Sequence, residues 1–224
     1  MTDVTARWLR VRDEVHAETL RLGRDIDDIT IVVVTKFHPV EVIAELLDAG
    51  ATHFGESRHQ DAAPKVAALE GSGATWHFVG QLQSNKARAI ARYASFIHSL
   101  DRASVIDALR TSDDQVGGFI EVNLTDDPGR GGVNSGDEML RLAEQIAATD
   151  TIDLRGVMAV APNDDAPDRA FARLATFSSM LQQAVPNATA ISAGMSGDWK
   201  HALAHGATHL RIGTSITGNR PTPR

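Results

Sequence analysis

Lys36 is the residue whose type and position most directly suggest covalent chemistry. The chain has only four lysines, at positions 36, 65, 86 and 200, and Lys36 follows an apolar run of strand length, TIVVVT at residues 30–35. A lysine at the mouth of a barrel beside apolar walls is desolvated, so its amine loses proton affinity and can form an imine with an aldehyde. The alternative is a solvated lysine at a strand end. Lys36 is our candidate imine-forming residue.

Two segments near the C-terminus have the composition of an anion site. They are SAGMSGD at residues 192–198 and GTSITGN at residues 213–219. Gly197 allows close backbone approach, Ser196 is expected to be both a helix N-cap and a ligand hydroxyl, and a helix beginning near Gly197 would direct free N–H groups at an anion. Gly213 and Thr214 offer the same combination from the other side. Turn glycines and simple caps are the alternative for either segment alone, but together the two predict a phosphate site.

Arg211 lies two residues before the second segment, in the strand-like run HLRI at residues 209–212. Alternation along a strand places Leu210 and Ile212 toward the helices and Arg211 in the barrel interior. A buried guanidinium needs a partner. That partner is either a ligand or Glu121, which alternation also directs inward.

The elements that must position these residues follow from the hydrophobic pattern. Eight apolar runs of strand length occur near residues 30–35, 52–54, 76–79, 96–98, 118–123, 154–160, 189–192 and 209–212, separated by segments with helical spacing. Two helices are expected to end at Gly50 and Gly206. Strand then helix, eight times over, predicts an α/β protein with a single (β/α)8 TIM barrel at about residues 30–220. We expect one domain over residues 1–224. An amphipathic helix at about residues 5–23 could cover the bottom or flank of the barrel, but we favour a simple extra surface helix.

Composition and charge exclude several classes of function. The 224 residues carry a net charge of -7, with no long basic run, so nucleic acid is not an expected partner. No apolar run reaches the ~20 residues of a membrane span, and we expect a cytoplasmic protein. The absence of cysteine removes thiol nucleophiles and Cys-ligated metals.

Several other side chains are of types that bind metals or catalyse hydrolysis, but their positions in the sequence do not support these roles. Two groups of histidines suggest a metal site: His201, His205 and His209, spaced by four, and His53, His59, His77 and His98, near strand ends. We reject it, because HALAH lacks the glutamate of a zinc-protease helix and His209 begins a strand. Ser57 and Ser196 have no recognisable His/Asp partners, so a hydrolase triad is not expected. Tyr93, in the helical segment ARYASF, is expected to serve packing.

Six motifs in order resemble one known family over about residues 5–220. They are Lys36, WHFVGQLQSNK at 76–86, IHSLDR at 97–102, LRGVM at 154–158, GMSGD at 194–198 and LRIGTSITG at 210–218. The chain closely resembles the pyridoxal phosphate homeostasis protein family, whose members are similar to the barrel of alanine racemase, called fold type III. The resemblance implies one pyridoxal 5′-phosphate (PLP) per chain, bound as an imine, and a role in buffering or delivering this cofactor without established turnover.

The resemblance also implies roles for particular residues. The imine lysine of the family falls on Lys36, its phosphate serine on Ser196, its Gly-Thr phosphate pair on Gly213 and Thr214, and the arginine facing the pyridine nitrogen on Arg211. The further cofactor-binding residues implied by matching positions are Ser57, His77, Asn85, Met195 and Gly197. The chain departs from the family at Ser57, where GENY reads GESR, at Ala193 in SAGMS, and at residues 129–132, where GRGG replaces SKSG. Implied partners are the cofactor and, transiently, PLP-dependent apo-enzymes, with a monomer or weak dimer as the assembly.

The function is left open between a carrier and an enzyme. An arginine at the pyridine nitrogen disfavours ring protonation, which weakens the ring as an electron sink. No loop offers a tyrosine or cysteine as a second acid/base opposite Lys36. Lys86 and His77 are the residues near enough in the pattern to substitute, and we interpret them as a surface cation and a packed strand side chain. We therefore expect a carrier. The alternatives are a weak amino-acid racemase, a lysine-imine aldolase acting on a sugar phosphate, and an interaction protein with an emptied ligand site.

Overall fold

Eight parallel strands close into a barrel in which every strand pairs with its neighbour in sequence and β1 pairs with β8. The computed structural model describes residues 2–125, 127, 129–162 and 166–219. The strands are β1 (Thr30–Val34), β2 (His53–Glu56), β3 (Thr75–Phe78), β4 (Phe96–Leu100), β5 (Val116–Glu121), β6 (Ile152–Met158), β7 (Ala190–Ser192) and β8 (His209–Ile212). The predicted (β/α)8 barrel is confirmed, with each predicted run giving one strand.

Helices follow the strands and cover the outside of the barrel. They are α1 (Asp3–Arg21), α2 (Val40–Asp48), α3 (His59–Ala68), α4 (Ala87–Ala91), α5 (Ala103–Arg110), α6 (Gly136–Ala147), α7 (Pro167–Ala184), α8 (Trp199–Ala204) and α9 (Thr214–Thr217). The chain leaves α2 and α8 through Gly50 and Gly206, whose φ angles of 88° and 92° suit glycine, as predicted. None of the described helices combines the length and the apolar character needed to cross a membrane.

The N-terminal helix covers one flank of the barrel. It runs over Asp3–Arg21, two residues earlier than predicted, and Trp8, Val11 and Val15 on one face are buried. This face packs against α2, α8 and α9, and the Arg7 Nε donates a hydrogen bond to the carbonyl of Ile216, 2.7 Å away. The expectation of a mere surface helix is wrong, because its valines and tryptophan recur at helical spacing and bury a continuous stripe.

Candidate functional site

The two predicted phosphate segments meet at the carboxyl ends of β7 and β8. The Oγ of Ser196 accepts a hydrogen bond of 3.2 Å from the amide of Ser215, and the amide of Arg211 donates to the carbonyl of Gly194. The amides of Ser196, Gly197 and Thr214 form no hydrogen bond with any described residue. A hydroxyl and three free amides on adjoining loops form a cradle suited to an anion.

Local structure in the first segment differs from the expectation in one respect. The helix begins at Trp199, and its N-cap residue is Asp198, not Ser196. The Asp198 carboxylate accepts a 2.6 Å hydrogen bond from the amide of Met195, which closes the loop and leaves the Ser196 hydroxyl facing the second segment. The helix N-terminus is therefore not free at Gly197, and the anion-binding groups are the loop amides.

Gly194 is required by the close packing of this loop. Its φ is 89°, and a Cβ atom there would lie 2.9 Å from the Cα of Trp199 and 2.8 Å from the Cβ of Ala202. Any side chain would push the segment away from α8. Gly213 is less crowded, since a Cβ would lie 3.5 Å from the carbonyl oxygen of Val34. That contact places the second segment beside the end of β1.

Lys36 lies in a turn just beyond β1, two residues after Val34, whose carbonyl oxygen faces Gly213. The strand ends at Val34, and the amide of His38 donates to the carbonyl of Thr35, which closes a turn over residues 35–38. Phe37 at the third position has a φ of 69°, which is strained for a bulky side chain. Lys36 itself is exposed. The expectation that Lys36 ends the strand and is desolvated is wrong in this structure, because β1 ends at Val34 and Lys36, in the turn that follows, is exposed.

A buried ion pair between Lys65 and Glu56, which the sequence did not indicate, holds the residue before Lys36 in place. The Nζ of Lys65 on α3 donates 2.6 Å to Oε1 of Glu56 and 3.0 Å to the carbonyl of Thr35, and the Thr35 hydroxyl donates to the same carboxylate oxygen. Lys65 is 9% exposed and Glu56 1%. The pair fixes the residue immediately before Lys36. The two hydrogen bonds also engage the amine of Lys65. The sequence around Lys65 gave no indication that this side chain is buried.

Arg211 is buried inside the barrel, as strand alternation predicts. It is 5% exposed, its Nη1 donates 2.6 Å to the Oγ of Ser192, and its Nη2 donates 2.8 Å to the carbonyl of Ala159. Its Nε forms no hydrogen bond with the described residues. Burial lowers the pKa of Arg211 to about 10, and the charge of Glu121 opposes this shift. The alternative of a direct salt bridge to Glu121 is wrong, because no ion pair joins the two among the described residues.

Glu121 at the end of β5 is the most perturbed acid near the mouth. Burial raises its pKa to about 7, and the neighbouring carboxylate of Asp101 raises it further against the charge of Arg211. Gly131 faces both carboxylates, since a Cβ there would lie 3.3 Å from Asp101 Oδ2 and 3.5 Å from Glu121 Oε2. In an eight-stranded barrel β5 lies opposite β1. Glu121 was not among the candidates that the sequence offered for a second acid/base opposite Lys36, which were tyrosine, cysteine, Lys86 and His77.

A chain of hydrogen-bonded side chains fills the barrel below Arg211. Nδ1 of His53 lies 2.9 Å from Nε2 of His77, Nδ1 of His77 lies 2.9 Å from Nε2 of His98, and Nδ1 of His98 lies 2.8 Å from Oγ of Ser192. We call His53, His77, His98 and Ser192 the histidine chain. His77 is 1% exposed, and both its ring nitrogens are engaged by other histidines. The structure therefore places His77 in the interior and not beside the phosphate cradle.

The remaining predicted residues are spread around the mouth. Ser57 follows β2 and lines a cleft with Gln81 and Lys86, on the loops after β2 and β3. Asn85 is exposed on a short 3-10 turn over Ser84–Lys86. Met195 is half-buried in the first phosphate segment. The structure thus brings together Ser196, Gly197, Gly213, Thr214 and Arg211, with Lys36 adjacent, and leaves Asn85 at the surface.

His201, His205, His209 and Tyr93 do not form one site. His201 and His205 on α8 both contact Asp168, at 3.0 and 3.2 Å, on the exposed outer face of the barrel. His209 lies in the interior, where its ring packs against Phe119. Tyr93 stacks on His59, with ring centroids 5.9 Å apart. These residues therefore belong to three separate places.

Comparison with known proteins agrees with this architecture. The family model described as "Alanine racemase, N-terminal domain" matches residues 13–221. A pyridoxal phosphate homeostasis protein of Corynebacterium glutamicum is 40% identical over 211 residues, covering 89% of this chain and 94% of that protein. PipY of Synechococcus elongatus PCC7942, solved with PLP bound, is 30% identical with a TM-score of 0.83, covering 96% of this chain and all (100%) of PipY.

A more distantly related solved structure is similar to this chain in fold alone. Alanine racemase from Bacillus anthracis has a TM-score of 0.68 at 17% identity, and the match covers 94% of this chain but 57% of the racemase. That likeness shows the shared barrel. Since the family model spans most of the chain and the Corynebacterium relative is similar over nearly its whole length, the chain belongs to the alanine racemase N-terminal domain family, among the pyridoxal phosphate homeostasis proteins.

Proposed function

We propose that this protein binds PLP at the carboxyl end of its barrel, with Lys36 as the imine-forming lysine, and holds the cofactor for storage or delivery without catalytic turnover. The observation that carries the proposal is the cradle: the Ser196 hydroxyl and the free amides of Ser196, Gly197 and Thr214 converge beside the end of β1. Its relative PipY, with PLP bound, supports the choice of ligand.

The residues present fit the parts of this cofactor. The cradle suits a phosphate dianion, which backbone amides at loop and helix starts bind well. The unused Nε of Arg211 is a donor buried beneath the mouth, and an unprotonated pyridine nitrogen is an acceptor that matches it. When bound, PLP supplies an aldehyde for imine formation and a ring that accepts electrons.

The turn that carries Lys36 is a candidate for movement when the cofactor binds. The Lys36 side chain is exposed in a turn whose third residue, Phe37, has a strained backbone. A strained residue at a site is often part of a two-state element, because an alternative conformation is then close in energy. An exposed amine at the mouth is accessible to incoming cofactor. We propose that the turn moves on loading, which suits a protein that takes up and releases its ligand.

Borohydride trapping tests the attachment. Protein mixed with PLP should develop the absorption band of an imine, and reduction followed by peptide mapping should place the label on Lys36. Lys65 is engaged with Glu56 and should stay unlabelled. Lys86→Ala is the control, since it removes another exposed lysine near the mouth and should leave the band intact. A main label on Lys65, Lys86 or Lys200, or a full band in Lys36→Ala, would refute the assignment.

The absence of turnover rests on Arg211. A permanently charged guanidinium near the pyridine nitrogen opposes ring protonation, and the ring is then a weaker electron sink for a carbanion. The holo-protein in heavy water should exchange the Cα proton of amino acids no faster than free PLP does. Exchange well above that control, abolished by Lys36→Ala, would mean that the protein is an enzyme.

One observation favours a weak racemase as the second candidate. Glu121 lies on the strand opposite β1 and has a pKa raised to about 7, which is a useful value for a proton donor or acceptor. If the exchange experiment is positive, Glu121→Gln should abolish exchange at one face of Cα. If exchange is absent, Glu121→Gln should leave the imine band unchanged in intensity.

Delivery is tested separately from storage. The loaded protein is mixed with a PLP-dependent apo-enzyme, and the recovery of that enzyme is followed in the presence of a trap for free PLP. Delivery predicts recovery despite the trap. Recovery that stops when the trap is added would favour storage and release into solution.

A further inference from the structure

Arg211 determines where the protons lie in the histidine chain. A guanidinium has only donors, so the Oγ of Ser192 is the acceptor of the 2.6 Å bond from Arg211. The proton of the Ser192 hydroxyl then has one acceptor in reach among the described residues, Nδ1 of His98. In the opposite order Ser192 would accept from both Arg211 and His98, and its buried hydroxyl proton would have no acceptor among the described residues, so the favoured order leaves the proton of His98 on Nε2.

The same order of donor and acceptor continues from His98 to His53. His98 donates from Nε2 to Nδ1 of His77, so His77 also carries its proton on Nε2. His77 in turn donates to Nδ1 of His53, which is left with its proton on Nε2. Each histidine has one donor and one acceptor engaged, and reversing any single ring would place two donors or two acceptors face to face. The order is consequently cooperative from Arg211 to His53.

The surroundings keep all three rings neutral. Burial lowers the pKa of His77 and His98 well below the usual value, and on His98 the charge of Arg211 acts in the same sense. Burial also lowers the pKa of His53, and it lowers the pKa of His209 to about 4. A neutral imidazole is needed at each position, because an imidazolium has no acceptor nitrogen.

The chain also links distant parts of the barrel. His53 is the first residue of β2, and Ser192 is the last residue of β7. His77 stacks on Phe96, with centroids 4.7 Å apart, and His98 stacks on Phe119 at 4.4 Å, so neither ring can rotate without disturbing the core. The order of donors and acceptors set at Ser192 is therefore kept as far as His53.

We propose that Ser192, His98 and His77 are positioning residues that hold the guanidinium of Arg211 in one orientation, and that they transmit this orientation to His53 as a fixed order of protons. Nη1 and Nη2 of Arg211 each use one of their two N–H groups on Ser192 and Ala159, so the Nε–H and one N–H on each of these nitrogens are left for a ligand. The role toward a ring nitrogen rests on the proposed function. The proton order itself does not, and it is present without any cofactor.

Nitrogen NMR of histidine-labelled protein without cofactor tests the proton order directly. The ring-nitrogen shifts should show His77 and His98 as neutral Nε2–H tautomers at pH 7. Ser192→Ala should relax His98 and His77 into a mixture of tautomers, whereas Ser192→Thr, which keeps a hydroxyl, should preserve the order. His209→Gln is the matched control, since His209 is buried beside the chain but outside it. Nδ1–H tautomers or imidazolium signals in the unmodified protein would overturn the proposal, even if the variants fail to fold.

Absorption titration of the PLP-loaded protein tests the positioning role. A displaced guanidinium exerts less positive potential on the imine, so Ser192→Ala and His98→Gln should raise the imine pKa by about one unit. Ser192→Thr and His209→Gln should match the unmodified protein. Equal imine pKa values in all four variants would overturn the positioning role. A failure of the unmodified protein to form any imine would instead refute the proposed function and leave the NMR result to decide the proton order.

Discussion

Replacing Lys65 by Met should weaken the fold at the corner that precedes Lys36. The methionine retains most of the apolar stem but removes the ammonium that contacts Glu56 and the Thr35 carbonyl. The Glu56 carboxylate is 1% exposed, and its Oε2 already has no partner among the described residues, so the charge would be left buried beside one hydroxyl. Removing one partner of a buried ion pair costs about 3–5 kcal/mol. In a chain of this size that corresponds to a Tm lower by roughly 6–20 °C.

Calorimetry or a circular-dichroism melt at pH 7 measures the effect. The control is Arg10→Met, which breaks the exposed pair of Arg10 with Glu14 and should cost no more than about 0.5 kcal/mol. The double variant Glu56→Gln with Lys65→Met removes the stranded charge and should recover part of the loss. A Tm for Lys65→Met within about 2 °C of the control, or a double variant less stable than either single change, would contradict the account of a buried pair.

Three further predictions concern the mouth of the barrel. Pyridoxal without its phosphate should bind at least tenfold more weakly than PLP in equilibrium titration, because the cradle of Ser196 and Thr214 then has no anion, and equal affinities would remove the cradle from the site. Glu121 has a folded pKa of about 7 against a reference of 4.5, so its ionisation should lower the free energy of unfolding as pH rises between these values, by at most about 3 kcal/mol. Denaturant unfolding of the native chain and of Glu121→Gln measures this effect, since the difference between their unfolding free energies should change with pH over that range. A flat difference would refute burial of this carboxyl. Gly194→Ala should lower the unfolding free energy by about 1–3 kcal/mol and weaken phosphate binding, whereas Gly197→Ala, at a site with open space, should fold normally.

The fold was predictable because each local pattern agreed with the global one. Eight apolar runs at regular intervals leave few alternatives to a closed parallel barrel, and the glycines after α2 and α8 mark helix ends without knowledge of tertiary contacts. The inward direction of Arg211 was also predictable, since alternation within a short strand needs no distant information.

The parts that sequence did not reveal depend on distances between strands. His53, His77 and His98 lie on three strands, and whether their rings meet is decided by the stagger of the barrel, which no local pattern encodes. Their interior positions in three successive strands were the available signal, and it was considered only as a possible metal site. The pairing of Lys65 with Glu56 likewise joins a helix to a strand. The exposure of Lys36 was missed because the apolar run gave no sign that β1 ends at Val34 and that a turn follows, with Phe37 in the left-handed region.

If PLP binds at the proposed site, the packing of α1 against α9 makes the amino terminus part of that site. Arg7 holds the carbonyl of Ile216, only two residues beyond Thr214 in the phosphate cradle, and its guanidinium also lies next to Gly218 at the end of α9. A purification tag or fusion partner that disturbs the first turns of α1 would therefore alter cofactor affinity from the outside of the barrel. Preparations that differ only in their amino-terminal extension should not be assumed to bind the same ligand equally well.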